Sequence, residues 1–292
     1  MKIAVSGASG FIGTAICKEL LKQKHTVVAL ARDPLKVQFS TEIKFFLLEE
    51  AEDINLSGID AVIHTAAYVP KSEDSSEDHQ CMVMNLLGTK KILDASKRDG
   101  VKTFVHFSTG NIYQCTNKLE KVSETFAIDT NFRSIPYLRS KAAGDDFALN
   151  YKCKDLRTVV LRPSTIYSPG TPQELLQRVA QKIKNEIKLE PEDVGNYYLD
   201  LVHMDDVVDA TIAVIANDKC SGAYNIGGDE PGRTVDIANL FCFFYNKRKL
   251  MVNNLGEPEL NHAVLDITKA KSDFEYKPRK LSDGLKQYYS LL

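Results

Sequence analysis

Short apolar runs rich in Val, Ile, Ala and Phe alternate with longer amphipathic stretches through the first half of the chain. Residues 3–6, 26–31, 45–48, 61–65, 103–108 and 158–161 have the length and composition of strands. Between them, 11–23, 79–99 and 137–151 carry apolar positions at helical spacing. Such alternation predicts βαβ units, a parallel sheet and right-handed crossovers. The run Thr103-Phe-Val-His-Phe-Ser108 has no period of two, as expected for a strand covered on both faces.

After Arg162-Pro163 the segments shorten and turn signals thicken, at Ser168-Pro169-Gly170, Gly227-Gly228 and Pro231-Gly232. The expected fold is α/β: a Rossmann-type doubly wound parallel sheet over 1–163 and a smaller C-terminal α/β substrate lobe over 164–292. Residues 200–216 are read as returning to the first lobe. The acidic stretch 71–78 reads as a solvated loop or helix start, and 116–135 as a long loop near the mouth of the site.

Charge narrows the partners. Of 292 residues, 37 are Lys or Arg and 39 Asp or Glu, a net charge of −2, so no global field draws the chain to nucleic acid or an anionic membrane. The N-terminal apolar run stops at Ser6-Gly7, too early for a signal peptide, and no uncharged stretch is long enough to span a bilayer. Six cysteines (Cys17, Cys81, Cys115, Cys153, Cys220, Cys242) are scattered without a C-x-x-C pair. That spacing suits reduced thiols in a cytoplasmic protein better than zinc or a disulfide framework.

The chemistry begins at Gly7-Ala-Ser-Gly-Phe-Ile-Gly13, directly after the first strand and opening the first helix. Gly7 permits the tight turn, Gly10 lets backbone approach a pyrophosphate, and Gly13 allows close helix–strand packing. The helix N-terminus adds unpaired N–H groups for the anion. The second strand ends Ala29-Leu-Ala-Arg-Asp33, with Ala31 where an acid for the ribose 2′-hydroxyl would stand and Arg32 next. Arginine matches a 2′-phosphate, so NADP(H) is favoured, with Lys36 as helper. NAD(H) stays open, since Arg32 could pair with Asp33 and Asp33 could itself reach the ribose.

Tyr137-Leu-Arg-Ser-Lys141 puts a phenol and an ammonium on one helix face. The ammonium, with an oxidised nicotinamide, is expected to bring the phenol toward neutral pKa. Thr109, just past the strand at 103–108, would hold the substrate oxygen at the sheet's C-terminal edge; Ser108 is the alternative.

With these residues in that order, the chain resembles an extended short-chain dehydrogenase/reductase of the NAD-dependent epimerase/dehydratase type over nearly its whole length. The resemblance is carried by the glycine motif, His64-Thr-Ala-Ala67, Asn85-Leu-Leu-Gly-Thr89, Thr109 with Tyr137 and Lys141, Leu161-Arg-Pro163, Ile166-Tyr-Ser-Pro-Gly170, His203-Met-Asp-Asp206 and Tyr224-Asn-Ile-Gly227. It implies Tyr137 as acid/base, Thr109 as orienting donor, and Lys141 on the nicotinamide ribose and tuning Tyr137. It further implies cofactor contacts from Gly7, Ser9, Gly10, Phe11, Ile12, Arg32, Ala66, Ala67, Lys141 and Pro163. A homodimer through the helices at 79–99 and 137–151 follows from the same resemblance, as does a nucleotide-sugar substrate.

Departures from the family pattern bear on the substrate. Dehydratases carry an acidic pair after the hydroxyl, where this chain has Gly110-Asn111. Many UDP-hexose epimerases have an arginine where Tyr198-Leu199-Asp200 stands, and Gln114 replaces a usual glycine. The favoured function is reduction of the 4-keto group of a nucleotide-activated sugar. The alternatives are a sugar-nucleotide epimerase with tightly bound dinucleotide, reduction of a non-sugar ketone or aldehyde, and a non-catalytic NADP-binding regulator. Of the other polar groups, His64 and His106 read as core, and His203 with Asp205 and Asp206 as an Asp-capped turn, not a metal site. Asn85 is read as site-orienting or helix-packing, and Arg162 as contacting a phosphate or anchoring the crossover. Residues 241–245 read as buried helix.

Overall fold

In the computed structural model, β1 (Lys2–Ser6), α1 (Phe11–Lys22), β2 (Thr26–Ala31), β3 (Glu42–Phe45) and β4 (Ala61–His64) open the chain. The structure describes residues 1–292 except 38, 40, 48–52, 72–74, 115–118, 130–134, 170–173, 248–256, 259–262 and 291–292. A broken helix follows: α2 (Asp78–Cys81), a π-helical stretch Met82–Leu87 and α3 (Gly88–Arg98). Next come β5 (Thr103–Phe107), β6 (Lys121–Val122), α4 (Pro136–Asn150) and β7 (Arg157–Pro163). The second half contains β8 (Thr165–Tyr167), α5 (Glu174–Lys184), α6 (Pro191–Val194), β9 (Tyr198–Leu199), β10 (Leu201–His203) and α7 (Met204–Ala216). It ends with β11 (Gly222–Ile226), β12 (Gly232–Arg233), α8 (Thr234–Phe244), β13 (Val264–Leu265), α9 (Thr268–Phe274) and α10 (Leu281–Ser290).

Seven parallel strands form one Rossmann-like sheet in the order β11-β7-β5-β4-β1-β2-β3. Its central strands are Val-, Ile- and Ala-rich and buried, because helices cover both faces. One face packs Ile16, Leu20, Val207 and Val214 of α1 and α7; the other packs Ile92, Leu93 and Ala148 of α3 and α4. The strand order reverses between β1 and β4, where a crevice opens at the C-terminal strand ends. A third cluster, with Leu176, Ile183, Phe241 and Leu285, forms the core of the C-terminal lobe.

The sheet takes in β11, with Ala223 opposite Val160 and Tyr224 opposite Leu161, a return not read from the sequence. α7 packs on α1, and Ala270 of α9 joins the same face. β3 spans 42–45, earlier than the run at 45–48, so Phe46 leaves the strand; Leu48 lies outside the described residues. The expected helix 79–99 is interrupted by the π-helical stretch, within which Met84 and Asn85 are buried. Within 116–135, β6 pairs in parallel with β13 and forms a strap across the C-terminal strand ends. Residues 116–118 and 130–134 of that loop, 72–74 of the acidic stretch, Cys115 and Gly170 lie outside the described residues.

Candidate active site

α1 starts from Gly10 with no side-chain cap, so its first N–H groups face the crevice. Gly7 has φ +73°, and a Cβ there would meet the Ala66 nitrogen at 2.8 Å. A Cβ on Gly13 would lie 2.2 Å from the Gly7 carbonyl oxygen. The turn therefore excludes side chains at both ends, the first through conformation and the second through helix packing. Above it lies a cavity of about 550 Å³ lined by Gly7, Ser9, Gly10, Phe11, Ile12, Arg32, Ala66 and Ala67, all expected from the sequence. Gly13, Leu30, Phe46, Thr65, Tyr68, Val69 and Met84 complete the wall. Bare backbone under an apolar trough fits a dinucleotide. Lys141 and Pro163 do not line this cavity.

Arg32 is exposed on the rim. Its expected competitor Asp33 is engaged elsewhere, accepting from the Leu35 nitrogen at 3.1 Å and lying 3.8 Å from the Lys36 ammonium. The turn Pro34–Lys36 that Asp33 caps thus keeps its carboxylate off Arg32.

Pro136 opens α4 at its first turn, where a missing N–H costs nothing, and sets Tyr137 and Lys141 one turn apart. Lys141 is buried and its Nζ donates to the Phe107 carbonyl, pinning α4 to the end of β5. Burial pulls Lys141 down to about 8, against the opposing pull of Asp145. Among the protein's own groups, burial and the nearby Cys81 thiol hold the Tyr137 phenol above its ordinary value, while the Lys141 ammonium is directed at Phe107. Thr109 caps the turn Gly110–Ile112, accepting from the Asn111 nitrogen at 3.3 Å, which leaves its own O–H to donate. Ser108 Oγ is buried without a hydrogen-bond partner among the described residues, so both candidate donors remain at this edge.

Asn85 organises the space between wall and catalytic helix. Its Oδ1 accepts from the Tyr68 nitrogen at 2.6 Å, while its Nδ2 donates to the Tyr68 carbonyl at 3.0 Å and to Ser140 Oγ at 2.9 Å. The Tyr68 clamp was not read from the sequence, although the Asn85–Thr89 motif marks the place. His64 is buried between Ser6 Oγ, at 2.6 Å from Nδ1, and Thr89 Oγ1, at 3.2 Å from Nε2. His106 stacks on it with ring centroids 5.5 Å apart.

Arg162 anchors the crossover. It forms a two-pronged bond to Asp145 at 2.8 and 2.7 Å and donates to the Tyr113 hydroxyl at 2.7 Å, all buried. Tyr113 in turn donates to Asn225 of β11. At the start of α7 the cap is His203 itself, whose Nδ1 accepts from the Asp205 nitrogen at 3.2 Å, in place of the expected Asp cap. Asp206 is instead held by Arg279 at 3.0 Å, the partner nearest its carboxylate. Among the described residues no group of three His, Cys, Asp or Glu is arranged to hold a metal ion, and no helix is long and apolar enough to cross a membrane.

The sequence model of the NAD dependent epimerase/dehydratase family matches residues 3–227. An uncharacterized UDP-glucose epimerase of Bacillus subtilis is 29% identical, over 98% of this chain and 96% of its own. A 2-alkyl-3-oxoalkanoate reductase of Stenotrophomonas maltophilia is 28% identical, over 82% of this chain and 74% of its own. Among solved structures, a UDP-glucuronic acid 4-epimerase from Bacillus cereus in complex with UDP-glucuronic acid and NAD superposes with a TM-score of 0.80. It is 25% identical and covers 100% of this chain and 98% of its own. The chain therefore belongs to the NAD dependent epimerase/dehydratase family, and is an NAD(P)-dependent enzyme of the extended short-chain dehydrogenase/reductase type.

Proposed function

We propose that this enzyme reduces the 4-keto group of a nucleotide-activated sugar, using NADP(H). The observation that carries this reading is the convergence of Thr109 and the Tyr137–Lys141 helix on the C-terminal end of β5, beside the dinucleotide trough. Bound in that trough, the nicotinamide dinucleotide supplies the hydride. Thr109 donates a hydrogen bond to the substrate carbonyl oxygen, and Tyr137 gives the same oxygen its proton. A phenol is protonated at neutral pH, the form that reduction consumes, and burial shifts Tyr137 further in that direction. Lys141, bonded to the Phe107 carbonyl, anchors the tyrosine's helix at the end of β5. Gly110 and Asn111 offer no second acid, which disfavours dehydration.

Arg32, exposed on the rim with Asp33 engaged by its own turn, supports NADP(H) over NAD(H). The unpaired thiols of Cys17, Cys81, Cys153, Cys220 and Cys242 accord with a cytoplasmic setting. Leu87, 44% exposed at the end of the π-helical stretch, and the half-buried Phe147 of α4 accord with a homodimer through these helices.

The test is NADPH oxidation with a panel of 4-keto sugar nucleotides, run on wild type and Tyr137→Phe. Turnover that falls by roughly 10²–10⁴-fold in the variant, with dinucleotide binding kept, is expected. Full turnover in Tyr137→Phe overturns the mechanism. A second reading, an epimerase, draws on the Bacillus cereus neighbour solved with NAD. Dinucleotide that copurifies in stoichiometric amount, with no net NADPH consumption, would establish it instead.

A further inference from the structure

A single buried hydrogen-bond column runs from the glycine turn's strand to the helix that carries Asn85. The Ala66 nitrogen lies 3.4 Å from Ser6 Oγ, Ser6 Oγ 2.6 Å from His64 Nδ1, His64 Nε2 3.2 Å from Thr89 Oγ1, and Thr89 Oγ1 2.6 Å from the Asn85 carbonyl. Ser6, His64, Asn85 and Thr89 are each no more than 2% exposed.

The two ends set the direction of every proton. An amide N–H can only donate and a carbonyl oxygen can only accept. Thr89 spends its O–H on Asn85, so it must accept from His64, which places the imidazole proton on Nε2. Nδ1 is then bare in the neutral ring and accepts from Ser6, which receives the Ala66 amide. One neutral tautomer satisfies all four links.

We infer that His64 is a positioning residue of the active site: as its Nε2–H tautomer it ties the cofactor wall at Ser6 and Ala66 to the helix whose Asn85 holds Tyr68 and Ser140. At one end the column starts at the residue before Gly7 and at Ala66, which lines the trough. At the other, Asn85 bonds Ser140, and Ser140 Oγ donates to the Tyr137 carbonyl at 2.8 Å. The column thus connects the surface that seats the dinucleotide with the helix that delivers the proton. The role rests on the reductase reading only for its effect on turnover; the tautomer and the seating of the dinucleotide do not depend on the substrate.

Groups facing the ring are His106 across the β4–β5 register, Phe104, and the Lys141 ammonium of α4. None supplies an anion to a second ring proton.

Nitrogen NMR on the full-length protein with labelled histidine reads the tautomer directly. A bare Nδ1 and a protonated Nε2, unchanged from pH 8 to pH 5, are expected; the opposite tautomer, or titration near 6.5, overturns the proposal. Isothermal titration of NADPH then compares wild type, His64→Leu and His64→Gln, together with Thr89→Val, which cuts the far link. About tenfold weaker binding in His64→Leu, with recovery to within about threefold in His64→Gln, is expected. In Thr89→Val, turnover should fall several-fold while the NADPH Kd changes less than His64→Leu changes it. If His64→Leu does not fold, the tautomer and the Thr89→Val split decide. A lowered melting point with Kd and kcat at wild-type values reduces His64 to a packing residue. Absence of keto-sugar reduction by the wild type refutes the substrate reading alone, since tautomer and Kd are measured without substrate.

Discussion

Gly110 faces Leu265 so closely that a Cβ on the glycine would meet Leu265 Cδ1 at 2.8 Å. The strand end beside Thr109 and the strap strand β13 are therefore packed to contact exactly where a dehydratase would carry an acid. Leu265 is buried at 1% exposure, so its δ-methyls have no open space to move into. Gly110→Ala should cost about 1–3 kcal/mol by overpacking. Urea unfolding measures the loss, and Leu265→Ala in the same chain should return part of it. Gly110→Asp should not create dehydration, because Leu265 fills the position.

Removing the guanidinium from the rim tests cofactor choice. Arg32→Ala should weaken NADPH about 10–100-fold, the worth of a charge-assisted pair, and leave NADH nearly unchanged. Titration calorimetry with both dinucleotides gives the ratio. Equal losses for both would mean that Arg32 shapes the adenine end and does not read a phosphate.

Acid should unfold this protein through its stacked histidines. Burial, assisted by the Lys141 ammonium, pulls His64 down to about 3 and His106 well below its ordinary value. Both are protonated in the unfolded chain below about pH 6.5 yet stay neutral when folded. The stability is therefore complete above that pH and drains as pH falls toward 3. Each histidine contributes a slope of about 1.4 kcal/mol per pH unit in that window. Urea titrations at pH 7, 6 and 5 measure it, and His106→Phe should flatten the slope.

The Asp145–Arg162 pair gives the largest single effect expected. Both side chains are almost fully buried, at 0% and 3% exposure, and the guanidinium also holds Tyr113. Asp145→Asn keeps the shape but leaves a buried cation uncompensated, at a cost of about 3–5 kcal/mol. Denaturant midpoints report it; a loss under 1 kcal/mol would show that water reaches Arg162.

The parts of the site legible in the sequence are those set by local spacing. Gly7, Gly10 and Gly13 act within one turn, and Tyr137 and Lys141 within one helical turn. Neither needs tertiary knowledge to be placed. The contacts that were not legible join residues distant in the chain: Leu265 with Gly110, Asn225 with Tyr113, Arg279 with Asp206. Asn85 shows an intermediate case. Its motif is visible, but the apolar run Met82-Val-Met84 and Leu86-Leu87 around it carries no sign of a widened turn, so 79–99 reads as one unbroken helix. For Tyr137, spacing places the Lys141 ammonium one helical turn away but does not reveal the burial of the phenol or the Phe107 carbonyl that engages the ammonium.

β11 reaches the sheet only after the C-terminal lobe's first elements have been threaded, and this matters during synthesis. Until Gly222–Ile226 leaves the ribosome, β7 pairs with β5 alone and shows a bare row of amides on its other side. At roughly 5–20 residues per second, that interval lasts several seconds. For that time the nascent chain carries an apolar strand edge open to pairing with a neighbour on the same message, and it is then that a chaperone would have most to shield.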